Sequence, residues 1–297
     1  MAVQGITKLN EAKERAKAAA QRPRPQAYSL TESDPTKLLV YGHSGSGKTF
    51  VIVGCLIHGE RVLVLSTDFG SNGLKTVKNE LRKRGKLNLL NNLRVLDLAS
   101  YEDIEAFLKD PTPFVPDLAE FDPTVLVWEG FSTFNIDILD EYILSHAPSA
   151  EGAGELRRAG LAHNKQDWQG MKRGTVRGLR YFFAFVLPNG KQVHKILTCL
   201  EAQPETDELT QKTQRSVLVH GTGKSLMAPG FDVIIEVFKE ESKDGLVNYF
   251  YRCDGDSQKY LLKNRGFELK PVEPADPVRL WSILTDKPIP QEEGVAQ

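Results

Sequence analysis

The sequence is poor in the residues that staple small or metal-bound proteins. Its 297 residues hold three cysteines, Cys55, Cys199 and Cys253, far apart and with no C-x-x-C pair. That spacing excludes a disulfide framework and a zinc knot, and it suits a reducing compartment. No apolar run is long enough to span a bilayer, and the first residues carry no apolar signal core. The expectation is a cytoplasmic chain with no membrane partner. Surplus charge is missing as well. Lysine and arginine total 38 against 39 acids, a net charge of −1. Such a balance excludes a generally basic, nucleic-acid-coating protein and leaves room only for a local patch.

What is present is a glycine-rich loop. Gly42-His43-Ser44-Gly45-Ser46-Gly47-Lys48-Thr49 fits G-x-x-x-x-G-K-[ST] at every fixed position. The β-branched run Lys37 to Tyr41 leads into it, and the apolar segment Phe50 to Ile57 leads out. Strand, loop and helix in that order let backbone N–H groups and a helix N-terminus surround a polyphosphate. In this pattern Lys48 reaches the β- and γ-phosphates and the Thr49 hydroxyl ligates Mg²⁺. Gly42 and Gly47 are needed because a Cβ would obstruct the turn or the phosphate.

Further along, Arg61 to Asp68 is a continuous apolar run ended by an acid, which suits a strand covered on both faces. Asp68 would then lie on the sheet edge where α/β proteins bind ligands. Helices are expected over Leu74 to Arg84 and Tyr101 to Lys109, with a short run Leu93 to Leu98 between them. Thr124 to Glu129 is a second buried strand ended by an acid. Glu129 fits a Walker B carboxylate, which holds the Mg²⁺ shell or polarises water, although aspartate is usual there. Residues 147–166 and 202–222 read as mobile loops. A helix follows the first, with Trp168, Met171, Leu179, Phe182, Phe183 and Val186 on an apolar face and Lys172, Arg173, Arg177 and Arg180 opposite. From Arg157 through Arg158 to Arg180 there are seven cations and one acid, which suits contact with a phosphate backbone.

His194 to Leu200 is a fourth core strand and Phe231 to Phe238 a fifth. Gly221 to Ser225 imitates a second P-loop, but Leu218 stands where glycine is required, and Pro229 interrupts a following helix. Val247 to Cys253 and Lys259 to Leu262 are expected to pair as a hairpin about Asp254-Gly255. The boundaries expected are a flexible leader over 1–34, a core over 35–268 and a tail over 269–297, with a short docking helix around Trp281 and Leu284.

Five core strands, the first carrying the P-loop, acids ending the second and third, and a C-terminal hairpin resemble the RecA-like ATPase core. The chain is most similar to the phage-encoded minimal RecA-core ATPases, some of which act in single-strand annealing or recombination. The fold this implies is an α/β P-loop core, a mostly parallel sheet flanked by helices. The resemblance makes Asp68 the catalytic carboxylate, Glu129 the Walker B acid and Thr198 a polar sensor of the γ-phosphate. Lys263-Asn264-Arg265 resembles the lysine-x-arginine element that RadA and KaiC proteins insert into a neighbour's ATP site. There phenylalanine-glycine follows, whereas here it is Gly266-Phe267. The implied ligands are ATP and Mg²⁺, and the implied partners are single-stranded DNA and further copies of the chain in a ring or filament. A nucleotide-dependent scaffold without turnover and a small-molecule kinase are the alternatives. A kinase would need an arginine-rich lid, and no such motif is present.

Overall fold

In a computed structural model the described residues are 34–68, 72–146, 165–206, 213–219, 223–257 and 259–291. The chain divides into two units, residues 1–34 and 35–297, and all that follows concerns the second. The expected leader and most of the first expected loop, Arg157 and Arg158 included, lie outside the described residues.

Short apolar runs rich in valine, leucine and isoleucine form strands where both faces can be covered. Six of them run parallel: β1 (Lys37–Gly42), β2 (Val62–Ser66), β3 (Leu93–Asp97), β4 (Val125–Glu129), β5 (His194–Leu200) and β8 (Val233–Glu241). Before β8 come the two-residue strands β6 (Glu205–Thr206) and β7 (Thr213–Gln214), which pair only with each other. Antiparallel β9 (Val247–Arg252), β10 (Lys263–Asn264) and β11 (Val272–Pro274) complete one sheet, ordered β11-β9-β8-β1-β5-β4-β2-β3 with β10 beside β8. The P-loop strand β1 is thus central, with β5 between it and the Glu129 strand. This is the α/β arrangement, a mostly parallel sheet flanked by helices, that the sequence implies.

Helices cover both faces. On one side lie α1 (Val51–Ile57), which follows a tight turn at Lys48–Phe50, and α2 (Asn72–Lys83). The other side carries α3 (Tyr101–Lys109), α4 (Leu118–Phe121), α5 (Phe131–Thr133), α6 (Leu139–Ser145) beyond a π turn, α7 (Lys165–Ala184) and α8 (Gly223–Gly230). The last helix, α9 (Pro277–Thr285), returns to the first side. None of these is long and apolar enough to cross a membrane among the described residues. Asp276 caps α9 by accepting from Val278 and Arg279 N–H, with proline at the first helical position. Trp281 and Leu284 of α9 join the core beside α1. The approach is close enough that a Cβ on Gly54 would collide with the Pro277 carbonyl.

Three expectations are corrected here. The hairpin partner of β9 is β8, around Ser242 to Gly245, and not Lys259 to Leu262. Asp254-Gly255 instead leads to Tyr260, which bridges to Arg215. The nine-residue β8 pairs with β9 at six positions, more cross-strand contact than the four-residue run Lys259 to Leu262 could offer. Trp168 is 45% exposed and Val186 is also exposed, so neither belongs to the buried face of α7. That face is centred on Met171, Thr175, Leu179 and Phe182, and a glycine stripe at Gly170, Gly174 and Gly178 brings the helix against Ile143, Leu139 and Phe134. Pro229 does not prevent a helix. It sits in the last turn of α8, one residue before the helix ends.

One buried cation is unusual. Lys195, in β5, is enclosed, and burial next to Lys37 pushes its ammonium down to about 8. Below pH 8 the folded chain must hold that charge with no counter-ion among the described residues. Between pH 8 and 10.5 the unfolded chain binds the extra proton, so stability rises with pH across this window. Lys195→Met is expected to stabilise the fold at pH 7 by about 3 kcal/mol, seen as a higher melting temperature. The gain should shrink toward pH 10, and equal melting of both proteins at pH 7 would contradict it.

Candidate functional site

The site forms where β1, β2, β4 and β5 end. Gly42 closes β1 under the backbone of β8, and any Cβ there would overlap the Val237 carbonyl oxygen. Gly47 has φ +95°, a left-handed conformation natural to glycine, and it turns the loop into the Lys48–Phe50 turn. The loop closes on itself through Ser46 N–H to His43 O at 3.2 Å and Phe50 N–H to Gly47 O at 3.0 Å. Lys48 Nζ donates to Gly42 O at 3.0 Å and His43 O at 2.8 Å. Burial lowers its pKa, and the negative charges of Glu129 and Asp68 oppose that shift. A desolvated ammonium facing two carboxylates acts far more strongly than one in water.

Glu129, the last residue of β4, is buried. Its two carboxylate oxygens are shared out: Thr49 Oγ1 donates to Oε1 at 2.7 Å and Thr198 Oγ1 to Oε2 at 2.8 Å. Burial raises its pKa above the usual carboxylate range. The two threonine hydrogen bonds pull against this rise, Asp68 adds to it, and Lys48 opposes it. Thr198 in turn accepts from Gly130 N–H at 3.0 Å, which pins β5 to the end of β4. Asp68 lies two residues past β2 and accepts from Thr133 Oγ1 at 2.6 Å. It approaches so near Gly130 that a Cβ on that residue would occupy the carboxylate's space.

Lys48, Thr49, Asp68, Glu129 and Thr198 therefore line one cavity of about 350 Å³, together with Ser44, Gly45 and Gly47 of the loop. Gly42, His43 and Ser46 do not line it. The first two give their carbonyls to Lys48, and the His43 ring lies 3.3 Å from Glu201 at the end of β5. Sequence reasoning missed the residues that brace the acids. Thr67 Oγ1 donates to the Glu129 and Gly130 carbonyls and accepts from Trp128 Nε1, clamping β2 to β4. Thr133 and Gly130 position Asp68. The adjacent pairs Thr67-Asp68 and Glu129-Gly130 were the available signal.

The donor set fits Mg²⁺ and a polyphosphate. Hard oxygen ligands, the Thr49 hydroxyl and the Glu129 carboxylate, stand side by side. The glycines of the loop, Gly45 and Gly47, line the cavity with no side chain to fill it.

Other candidate residues lie elsewhere. Lys263 and Asn264 pair with Ile234 and Val233, at the start of β8 and away from the strand ends that form the cavity. Lys263 Nζ donates to Ala228 O at 2.6 Å, and Arg265 is 3.1 Å from Asp232. Burial and the charge of Arg265 lower the Lys263 pKa. Lys172, Arg173, Arg177 and Arg180 share the exposed face of α7 around an open groove of about 880 Å³. Arg177 is engaged with Glu105 at 2.9 Å, whereas Lys172, Arg173 and Arg180 have no ion pair among the described residues. Arg215, in the second expected loop, is tied to buried Glu236 at 3.1 Å.

No protein-family model matches this sequence, and no curated protein matches it. Among solved structures, the chain is similar to the RadB recombinase with 14% identity and a TM-score of 0.43, over 77% of this chain and 90% of that one. A likeness that distant carries nothing about ligand, partner or reaction.

Proposed function

We propose that this chain binds Mg-ATP in the cavity at the P-loop and hydrolyses it, as a phage-type RecA-like ATPase acting on single-stranded DNA in recombination, annealing or replication. The observation that carries the ATPase reading is the convergence of Lys48, Thr49, Asp68, Glu129 and Thr198 on one cavity. Thr49 and Glu129 would hold Mg²⁺, which would supply charge neutralisation at the phosphates. Lys48 adds a fixed positive charge where negative charge develops. Asp68, braced by Thr133 and partly open to solvent, is placed to orient an attacking water. Thr198 links the carboxylate of Glu129 to the Gly130 backbone and holds β5 in register with it. Release of phosphate from Mg-ATP tests this reading.

A nucleotide-dependent switch is the second reading. It is favoured by Glu129, whose carboxylate is already committed to two threonines. Tight ATP binding without turnover would select it. Assembly is part of the first reading: Lys263 and Arg265 are remote from their own cavity, so a catalytic role for them requires a neighbouring copy. A mass that stays monomeric in every nucleotide state would remove that role.

The DNA reading rests on the cationic face of α7. Binding there should be independent of sequence and weaken as salt rises, with a slope of roughly −0.7 per neutralised phosphate. Arg173 and Arg180 are the residues to reverse, because neither is consumed by an ion pair among the described residues. Arg173→Glu with Arg180→Glu is expected to weaken single-stranded DNA binding and to flatten the salt slope by about 1.4. An unchanged affinity and slope would leave this face merely solvated.

A further inference from the structure

The lining of the cavity is of two chemical kinds: oxygen, from Asp68, Glu129 and Thr198, and aromatic carbon, from Phe50 and Tyr249. The two rings meet edge to face, with centroids 6.2 Å apart and planes at 84°. Tyr249 comes from β9, opposite Lys239, and its carbonyl accepts from Ala275 N–H at 2.9 Å, so it stands on paired strands and not on a loop. Both rings press on the P-loop: a Cβ at Gly47 would lie 3.0 Å from Phe50 and 3.5 Å from Tyr249. Yet neither ring is sealed in the core. Both are half-buried, unlike Phe131, Phe134 and Trp128 on the other face of the sheet, which are fully enclosed. Two rings left partly open at the mouth of a polar cavity have apolar faces still to cover.

Chain direction fixes what could cover them. Lys48 serves the terminal phosphates and Thr49 the metal beside them, and Phe50 is the next residue of the same turn. A nucleotide with its last phosphate near Glu129 and Asp68 therefore runs past Thr49 toward Phe50, and its base arrives at the ring pair. We propose that Phe50 and Tyr249 form the nucleobase platform of this site, binding the base by stacking. The inference rests on the Mg-ATP reading and adds which residues hold the part of the ligand that is not phosphate. Stacking on an aromatic face tolerates any base, since each has a π-face.

Calorimetric titration with Mg-ATP and with Mg-tripolyphosphate, which has the phosphates but no base, tests the proposal. Tyr249→Leu keeps apolar bulk but removes the flat ring. It is expected to weaken Mg-ATP about ten- to a hundredfold and to leave Mg-tripolyphosphate unchanged. Tyr249→Phe should bind Mg-ATP as the wild type does. Phe50→Leu, on a different element, carries the same expectation should Tyr249→Leu fail to fold. Equal losses for both ligands would show that the rings only brace the P-loop, and undiminished Mg-ATP binding would show that no base rests on them. Either result overturns the proposal. A wild type that binds tripolyphosphate but gains nothing from the nucleoside overturns it too. A wild type that binds neither ligand removes the Mg-ATP reading itself.

Discussion

Lys48→Ala is expected to lower ATP turnover by about 10²–10³-fold, the usual cost of one preorganised charge-stabilising contact. The side chain contributes nothing to the hydrophobic core. Its polar contacts are two loop carbonyls, and its charge faces Glu129 and Asp68. The fold should therefore survive, and a circular dichroism spectrum like that of the wild type would establish this. Without the ammonium, Glu129 loses a charge that favours its ionised form, so its pKa should rise further. Steady-state phosphate release at saturating Mg-ATP is the check, and near-normal turnover would remove Lys48 from the chemistry.

The second large effect separates the two acids. Asp68→Asn should bind Mg-ATP and then stall, because the amide keeps a hydrogen bond to Thr133 but cannot act as a carboxylate toward water. Glu129→Gln should instead raise the Mg²⁺ concentration needed for activity. The two variants should also differ in stability. Burial holds the folded pKa of Glu129 above its unfolded value, so keeping it ionised at neutral pH costs folding free energy, and the cost disappears as pH falls below the unfolded value. Glu129→Gln is thus expected to melt higher than the wild type at pH 7 while turning over more slowly. Wild-type kinetics in both variants would mean that neither strand end addresses the γ-phosphate.

How much of this was legible in the sequence varied with the range of the interaction. The P-loop was fully legible, because its turn, its glycines and its lysine act within eight consecutive residues. Asp68, Glu129 and Thr198 were legible as positions at strand ends, but their hydrogen-bond partners were not. Thr67 and Thr133 bridge the ends of β2 and β4, and beyond the adjacency of Thr67 to Asp68 nothing local distinguishes them from other threonines. The partner of β9 was misread for a similar reason: a turn signal at Asp254-Gly255 is local, whereas the pairing of β8 with β9 is decided by burial along the strands. Trp168 was misassigned because helical spacing places it near the apolar face, but the close contact of α7 runs along Gly170, Gly174 and Gly178. Small residues that admit a neighbouring helix leave no hydrophobic signature. The docking helix around Trp281 was legible, but the partner of its indole, Glu60 at 3.2 Å across 221 residues, was beyond any local pattern.

The most direct test is phosphate release from ATP by the wild-type chain, with Mg²⁺ and with the metal chelated, in the presence and absence of single-stranded DNA. The account predicts turnover that requires Mg²⁺ and increases with DNA. ATP bound stoichiometrically with no phosphate released under any of these conditions would contradict it.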